Sequence, residues 1–177
     1  MSRLTTARLV LRPMILADAP ALFAILGDPE AMAFWDRPPL PRLATMEAQM
    51  EDELAAMAAG SFLAWTVVKD GDAIGSIDLT PVSGTDAWIG FAFRRDQWGQ
   101  GLAREGMEAV TAHAFGPLAL SRLTARVQDR NQRAVRLLQK LGFHPGGALA
   151  DVMRDGERRA VARYFLNEPN SKRTPNA

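Results

Sequence analysis

The chain has 177 residues, 47% of them apolar and 23% charged, with a formal net charge of +1 and no cysteine. That length suits one domain with a substantial core. Near-neutral charge gives no field for nucleic acid or an anionic membrane, and the lack of cysteine excludes disulfides, a thiolate nucleophile and thiolate metal sites. No apolar run approaches the ~18 residues of a membrane span, and the first dozen residues do not read as a signal peptide, so a soluble cytoplasmic protein is expected.

Leu9-Val10-Leu11 reads as a first strand ending at Pro13. Asp18 is placed to cap a helix with the stripe Leu22, Phe23, Ile25 and Leu26, stopped by Gly27. The stretch from Met32 to Pro41 is a proline-rich loop carrying Phe34 and Trp35. Thr45 then reads as the cap of a helix whose stripe is Met46, Met50, Leu54 and Met57. Strands are expected over Phe62–Val68 and Ala73–Leu79, joined by the tight turn Asp70-Gly71, and over Ala87–Phe93 after a loop at Pro81–Asp86. A glycine turn opens a helix over about Leu102–Phe115, a strand follows at Leu123–Val127, and a helix runs from about Asn131 to Leu141 with Gly142 as its stop. Asp155-Gly156 marks a closing hairpin between Ala148–Arg154 and Arg158–Leu166. The strand–turn–helix–strand unit in the middle implies one parallel crossover inside a mostly antiparallel sheet, an α/β (α+β) fold with about four flanking helices. Residues 1–168 form the domain and 169–177 a flexible tail.

The chemistry concentrates between Phe91 and Glu105. Trp98-Gly99-Gln100-Gly101-Leu102-Ala103 follows a strand and two arginines, and it opens a helix. Two glycines one residue apart allow main-chain N–H groups to converge at a helix N-terminus, where phosphate oxygens are well held, and Arg94, Arg95 and Arg104 add positive charge. On spacing alone, a plain tight turn with solvated arginines is an equally good reading. No Lys-Ser or Lys-Thr follows the glycines, as a P-loop requires. The turn also comes after the fourth strand, not the first, which disfavours a Rossmann site.

Position by position, Trp98 to Ala103 resembles the pyrophosphate motif Arg/Gln-x-x-Gly-x-Gly/Ala of the GNAT N-acetyltransferases, with Gly101 and Ala103 matching. Trp98 in the first place resembles the RimJ/RimL-like branch, which acetylates N-termini of ribosomal proteins. Thr6-Ala7-Arg8-Leu9-Val10-Leu11-Arg12-Pro13, Asn131-Gln132-Arg133-Ala134 through Lys140-Leu141-Gly142-Phe143, and the closing hairpin before Tyr164-Phe165-Leu166 are similar to the same branch. The resemblance covers residues 3 to 168. It implies acetyl-CoA as cosubstrate, with no metal. Phe91, Ala92 and Phe93 would pair through their backbones with the pantetheine arm, as an added strand would. Trp98, Gly99, Gln100, Gly101, Leu102, Ala103 and Arg104 would hold the pyrophosphate, and Asn131 would meet the cofactor while capping its helix. A backbone N–H near Phe93 would stabilise the oxyanion. The partners implied are acetyl-CoA and an amine, either a peptide N-terminus or a small molecule, with neither nucleic acid nor membrane; the chain acts as a monomer or homodimer.

The attacking ammonium must lose a proton. Asp78 is the candidate base, because a charge on a central strand is costly unless used or paired; a solvent-facing or salt-bridged aspartate is the commoner alternative. Glu105 suits the helix dipole, and His113 and His144 read as structural or solvated. The family's acidic position on the strand before the glycine turn holds Trp88, and its frequent serine, tyrosine and aspartate positions hold Ala134, Leu138 and Ala160. Tyr164, the one tyrosine, is the remaining candidate acid, though a tyrosine on a last strand is more often core with its hydroxyl at the edge. Without cysteine, direct attack in a ternary complex is the natural route. Trp35 and Asp36, the Pro81–Asp86 loop and the final hairpin would shape the acceptor site. The missing acid and base positions leave a non-catalytic acyl-CoA-binding regulatory module as the alternative.

Overall fold

The computed structural model describes residues 1–169, with side chains at all but positions 82 and 83; the expected tail falls, but for its first residue, outside the described residues. The strands are β1 Leu4–Thr5, β2 Val10–Pro13, β3 Leu63–Lys69, β4 Asp72–Ser83, β5 Asp86–Phe93, β6 Arg122–Gln128, β7 His144–Ala148, β8 Val152–Arg154, β9 Glu157–Arg159 and β10 Val161–Asn167. The helices are α1 Ala19–Leu26, α2 Leu43–Ala58, α3 Leu102–Phe115 and α4 Gln132–Lys140. Eight strands make one sheet in the order β1-β2-β3-β4-β5-β6-β10-β7, and β8 and β9 form a separate hairpin. Only the β5–β6 pair is parallel, as the crossover through α3 requires. No described helix is long and apolar enough to cross a membrane.

Side-chain alternation sorts the sheet into two faces. Leu11, Trp65, Val67, Ile77, Leu79, Ile89, Phe93, Leu123, Ala125 and Val127 point to one side. There they form the main core with Leu102, Met107, Val110 and Ala114 of α3 and with Val135 and Leu138 of α4. The opposite face meets α1 and α2 through Leu22, Ile25, Met46 and Met50, packed with Ala64 and Ala92. The helical stripes read from the sequence face these cores, with Leu22, Ile25, Met46, Met50, Met107, Val110, Val135 and Leu138 buried and Phe23, Leu54, Met57, Ala134 and Leu141 half-buried.

Four local expectations differ from the structure. Helix α2 starts at Leu43 with Arg42 as its cap residue, because the Thr45 amide already donates to the Arg42 carbonyl (3.1 Å). The segment Pro81–Asp86 is not an open loop: β4 runs to Ser83 and turns directly into β5. The Asp155-Gly156 turn exists, but it joins the small β8–β9 hairpin; in the main sheet β10 sits between β6 and β7. Asp18 stands at the cap position of α1 without a side-chain bond to that helix. Its carboxylate instead accepts from Arg12 Nη1 and Nη2 (2.7 and 2.5 Å), Thr66 Oγ1 (2.6 Å) and the Ile15 amide (3.1 Å).

Burial alone would raise the Asp18 pKa, but the bonds from Arg12, Thr66 and Ile15 outweigh it and hold the carboxyl below its ordinary value. A folded-state pKa below the unfolded value adds stability that is present above the unfolded pKa and lost as pH falls through the folded one. We expect Asp18→Asn to destabilise the protein by about 2–3 kcal/mol at pH 7, in the range for hydrogen bonds to a buried charge. Urea denaturation should show the gap between variant and wild type closing as pH falls below the ordinary aspartate range, through the lowered pKa at which wild-type Asp18 is itself protonated.

Candidate active site

The parallel ladder between β5 and β6 stops early. Asp86, Ala87 and Trp88 pair with Arg122, Leu123 and Thr124, after which β5 continues to Phe93 and β6 to Gln128 unpaired with one another. The Arg94 amide donates to the Ile74 carbonyl (2.9 Å), which fixes the alternation of the β4–β5 ladder. Ala92 and Gly90 direct their main-chain groups to β4, whereas Phe91 and Phe93 direct theirs to the gap. Pro81 opposite Ala87 agrees, since that non-bonded position asks for no N–H. Ala92 is thus a correction: its backbone is committed to β4 and its side chain packs under α1 and α2. The Phe93 carbonyl accepts the Trp98 indole N–H (2.8 Å). The Phe91 amide and carbonyl and the Phe93 amide remain facing the gap.

Below the gap, Gly99 and Gly101 both hold left-handed backbone, with φ of 77° and 78°. A Cβ at Gly99 would meet nothing within 4 Å, so the turn opens on free space. Helix α3 has no side-chain cap at Gly101, leaving its first-turn amides without internal partners. This suits a diphosphate, and a thioester arm fits the parted edge above it. The predicted turn residues divide by role. Leu102 and Ala103 bury their side chains against the main core and present only main chain. Gln100 braces the turn by donating to the Asp96 carbonyl (2.9 Å). Trp98 is a strut between the turn and the end of β5, its ring covered by the Arg133 guanidinium 4.2 Å away. Arg94 is paired with Asp96, Arg95 with Asp28 and Glu30, and Arg104 with Glu108, so their charges are partly spent. Glu105 ties the N-terminal segment to α3 through Thr6 Oγ1 (2.6 Å) and Arg8 (2.7 Å). Arg133, with no carboxylate partner among the described residues, is a cation beside the turn that sequence reasoning passed over. Only its place in the first turn of α4 pointed to it. Asn131 caps α4, its Oδ1 accepting the Ala134 amide (3.1 Å), and also borders the gap.

A cavity of about 570 Å³ passes through the gap. On the α4 side it is bordered by Ile89, Phe91, Asn131, Ala134 and Leu138, and on the far side by Asp78, Thr80, Trp88, Gly90 and Phe34–Asp36. Asp78 lies directly across from Gly90 in the β4–β5 register. A Cβ at position 90 would lie 2.6 Å from Asp78 Oδ2, so the absence of a side chain there makes room for the carboxylate. Asp78 has no hydrogen-bonding or ion-pair partner among the described residues. Burial, helped by the charge of Glu53, pushes its pKa up to about 7. Glu53 is itself raised by burial and accepts a bond from Gln49 Nε2 (2.6 Å), whose Oε1 in turn accepts Arg37 Nη1 (2.6 Å). Gly90 and Glu53 were invisible in sequence because only strand register and helix packing bring them to Asp78.

Trp35 and Asp36 both border the cavity. Their loop is held from the β8–β9 hairpin and from β6. Arg154 Nη1 donates to the Met32 and Trp35 carbonyls, Arg159 Nη1 to Ala33 (2.8 Å) and Gln128 Nε2 to Trp35 (3.3 Å). Asp36 pairs with Arg126 (3.2 Å). Tyr164 departs from expectation: it faces the main core opposite Ala125, is buried there, and does not border the cavity. His113 is buried edge-on to Trp65, and His144 lies exposed against Phe165, both away from the cavity.

Residues 8–144 match the family model of the acetyltransferase (GNAT) domain. The uncharacterized N-acetyltransferase p20 of Bacillus licheniformis is 29% identical over 155 residues, covering 85% of this chain and 87% of the relative. Among solved structures, the RimL ribosomal L7/L12 α-N-protein acetyltransferase in complex with CoA superimposes with a TM-score of 0.86 at 16% identity, covering 94% of this chain and 98% of that one. The Vibrio cholerae spermidine N-acetyltransferase in complex with CoA and spermine gives 0.82 at 19% identity, covering 92% and 96%. Main-chain groups freed along β5, an uncapped glycine turn and the span of the family match agree with one another: the chain belongs to the GNAT acetyltransferases.

Proposed function

We propose that this chain uses acetyl-CoA to acetylate a primary amine, a peptide N-terminus or a small amino compound, by direct attack in a ternary complex in the cytoplasm. The observation that carries this reading is the cavity that crosses the sheet where β5 and β6 part, with α4 at one side, where Arg133 lies over Trp98 of the glycine turn, and the Asp78 carboxylate at the other. When bound, acetyl-CoA supplies the activated acetyl group. The Phe91 backbone and the first-turn amides of α3 hold its arm and its diphosphate. Arg133 adds charge beside the latter. The Phe93 amide faces the gap and is the donor available to a developing oxyanion on the thioester carbonyl.

Asp78 is the base. Raised to about 7, its carboxyl exchanges protons at neutral pH and takes one from the incoming ammonium. The amine lone pair then forms the C–N bond, the nitrogen sheds its second proton to water, the C–S bond breaks, and the thiolate leaves. With Tyr164 in the core and no other tyrosine in the chain, water protonates it. The cavity does not favour a polycation: of its two carboxylates, Asp36 is already paired with Arg126 and Asp78 is half protonated near pH 7. A ribosomal-protein acetyltransferase and a spermidine acetyltransferase both share this fold, so it is the charge of the cavity that favours a peptide N-terminus over a polyamine.

With acetyl-CoA and an amine panel, Asp78→Asn should lower kcat/KM by about 10²–10⁴-fold, the usual contribution of a positioned base. The acidic limb near pH 7 should vanish from its pH profile, leaving a limb near ~8 that reports an α-amine acceptor. Because the folded pKa of Asp78 lies above its unfolded value, ionising it weakens the fold as pH rises through that window. The Asn variant should therefore melt higher than wild type at pH 8 and equally at pH 3. Unchanged turnover would remove Asp78 as the base.

Gly90→Ala puts a methyl against a carboxylate that is free to swing away, so the fold survives while the base is displaced. A loss of about 10²-fold in kcat with unchanged CoA affinity is expected for a misplacement of this size. Full activity in this variant would contradict the placement.

A further inference from the structure

The sheet face that bears the acceptor side of the cavity continues past Trp88 onto β6 and β10, and its charge there is unusual. Arg126 and Arg163 are direct cross-strand partners, an arrangement that repels unless something negative lies between or beside them. Arg126 has Asp36. Arg163 has no carboxylate among the described residues: its Nε and Nη2 both donate to the neutral Gly146 carbonyl (3.1 and 2.9 Å). Arg122, on the same face, donates to Asn167 Oδ1 (3.0 Å) and lies over the Phe165 ring, again without a carboxylate partner.

Arg122 and Arg163 border a second cavity of about 270 Å³, together with Asp86, Trp88, Thr124 and Phe165. Asp86, its one acidic residue, accepts from Ser121 Oγ (3.4 Å) and forms no ion pair with either arginine. Trp88 borders both cavities, so a single indole separates this cationic recess from the acceptor side of the active-site cavity. Trp88 lies two residues from Gly90 on β5, or about 7 Å at ~3.3 Å per residue. An extended peptide whose N-terminus reaches Asp78 would thus place its second or third side chain over the recess.

Resting on the acetyltransferase reading, we infer that the acceptor is a peptide N-terminus with an acidic side chain at its second or third residue, which Arg163 and Arg122 hold in the recess beyond Trp88. This makes the two arginines specificity-determining residues and gives a role to the second guanidinium set against Arg126 beside the active site. Binding of the carboxylate supplies the counter-charge that Arg163 lacks, while the chemistry at Asp78 is unaffected by it.

The test compares KM and kcat for matched tripeptide amides, Ala-Glu-Ala against Ala-Gln-Ala and Ala-Ala-Glu against Ala-Ala-Gln. Amidation leaves the side chain as the only carboxylate. A glutamate peptide should have a KM about tenfold below its glutamine twin, about 1.4 kcal/mol, with kcat little changed and the advantage shrinking in high salt. In Arg163→Gln and Arg122→Gln the ratio within each pair should fall toward one, and calorimetry with CoA reports that each variant is folded. Equal KM values within both pairs in wild type, a preference that survives in both variants, or no acetylation of any of these peptides would each overturn the inference. Failure of wild type to bind CoA would instead sink the acetyltransferase reading itself.

Discussion

A parallel ladder that ends after three pairs is the constraint on which the rest of the site depends. Beyond Trp88 and Thr124 the main-chain groups of β5 that face β6 have no strand to bond, while those of Gly90 and Ala92 stay paired with β4. Unpaired peptide groups away from water are costly, so such an edge is stable only if solvent or a ligand reaches it. The structure keeps it reachable by placing α3 and α4 under the sheet and α1 and α2 over its first half. The opening runs between them from one face to the other. A long cosubstrate can then enter from one side and an acceptor from the other, meeting at the waist of the sheet.

The second constraint is electrostatic. A carboxylate on a central strand, without a hydrogen-bond donor and near Glu53, is a destabilising choice for a fold. Elsewhere the chain resolves the same problem in the opposite way. Asp18, more fully buried than Asp78, is given a guanidinium, a hydroxyl and an amide, and its proton is driven off. Asp78 is given space by Gly90 and nothing else, and its proton is retained to about neutrality. Two aspartates of one domain, shifted in opposite directions, separate a structural role from a chemical one.

Much of the fold was legible in the residues. Helical stripes such as Met46 and Met50, the alternation along β3 to β6, and the turns at Asp70-Gly71 and Asp155-Gly156 carry their own geometry. So does the glycine pair before α3, whose positive φ values need glycine. What stayed hidden depends on contacts between distant segments. Asp18 has the residue type and place of a cap, but Arg12 and Thr66 compete for its oxygens across the sheet. The closing turn was plain, yet nothing local says that β10 enters the main sheet beside β6 while β8 and β9 stand apart. Ala92 alternates with Phe91 and Phe93, and only the β4 register shows which of the three face the gap. Nothing local singles out Arg154 and Arg159, whose hydrogen bonds to the Met32–Trp35 segment hold the cavity wall in place.

The claim that this parted edge and the glycine turn together receive CoA is tested most directly by amide hydrogen exchange with and without CoA. Saturating CoA should slow exchange at the amides of Phe91, Phe93 and Gly99–Ala103, with Ala92 already slow in the free protein because β4 holds it. CoA binding that leaves those amides exchanging at their free rates, or slows Ala92 in their place, would contradict the account.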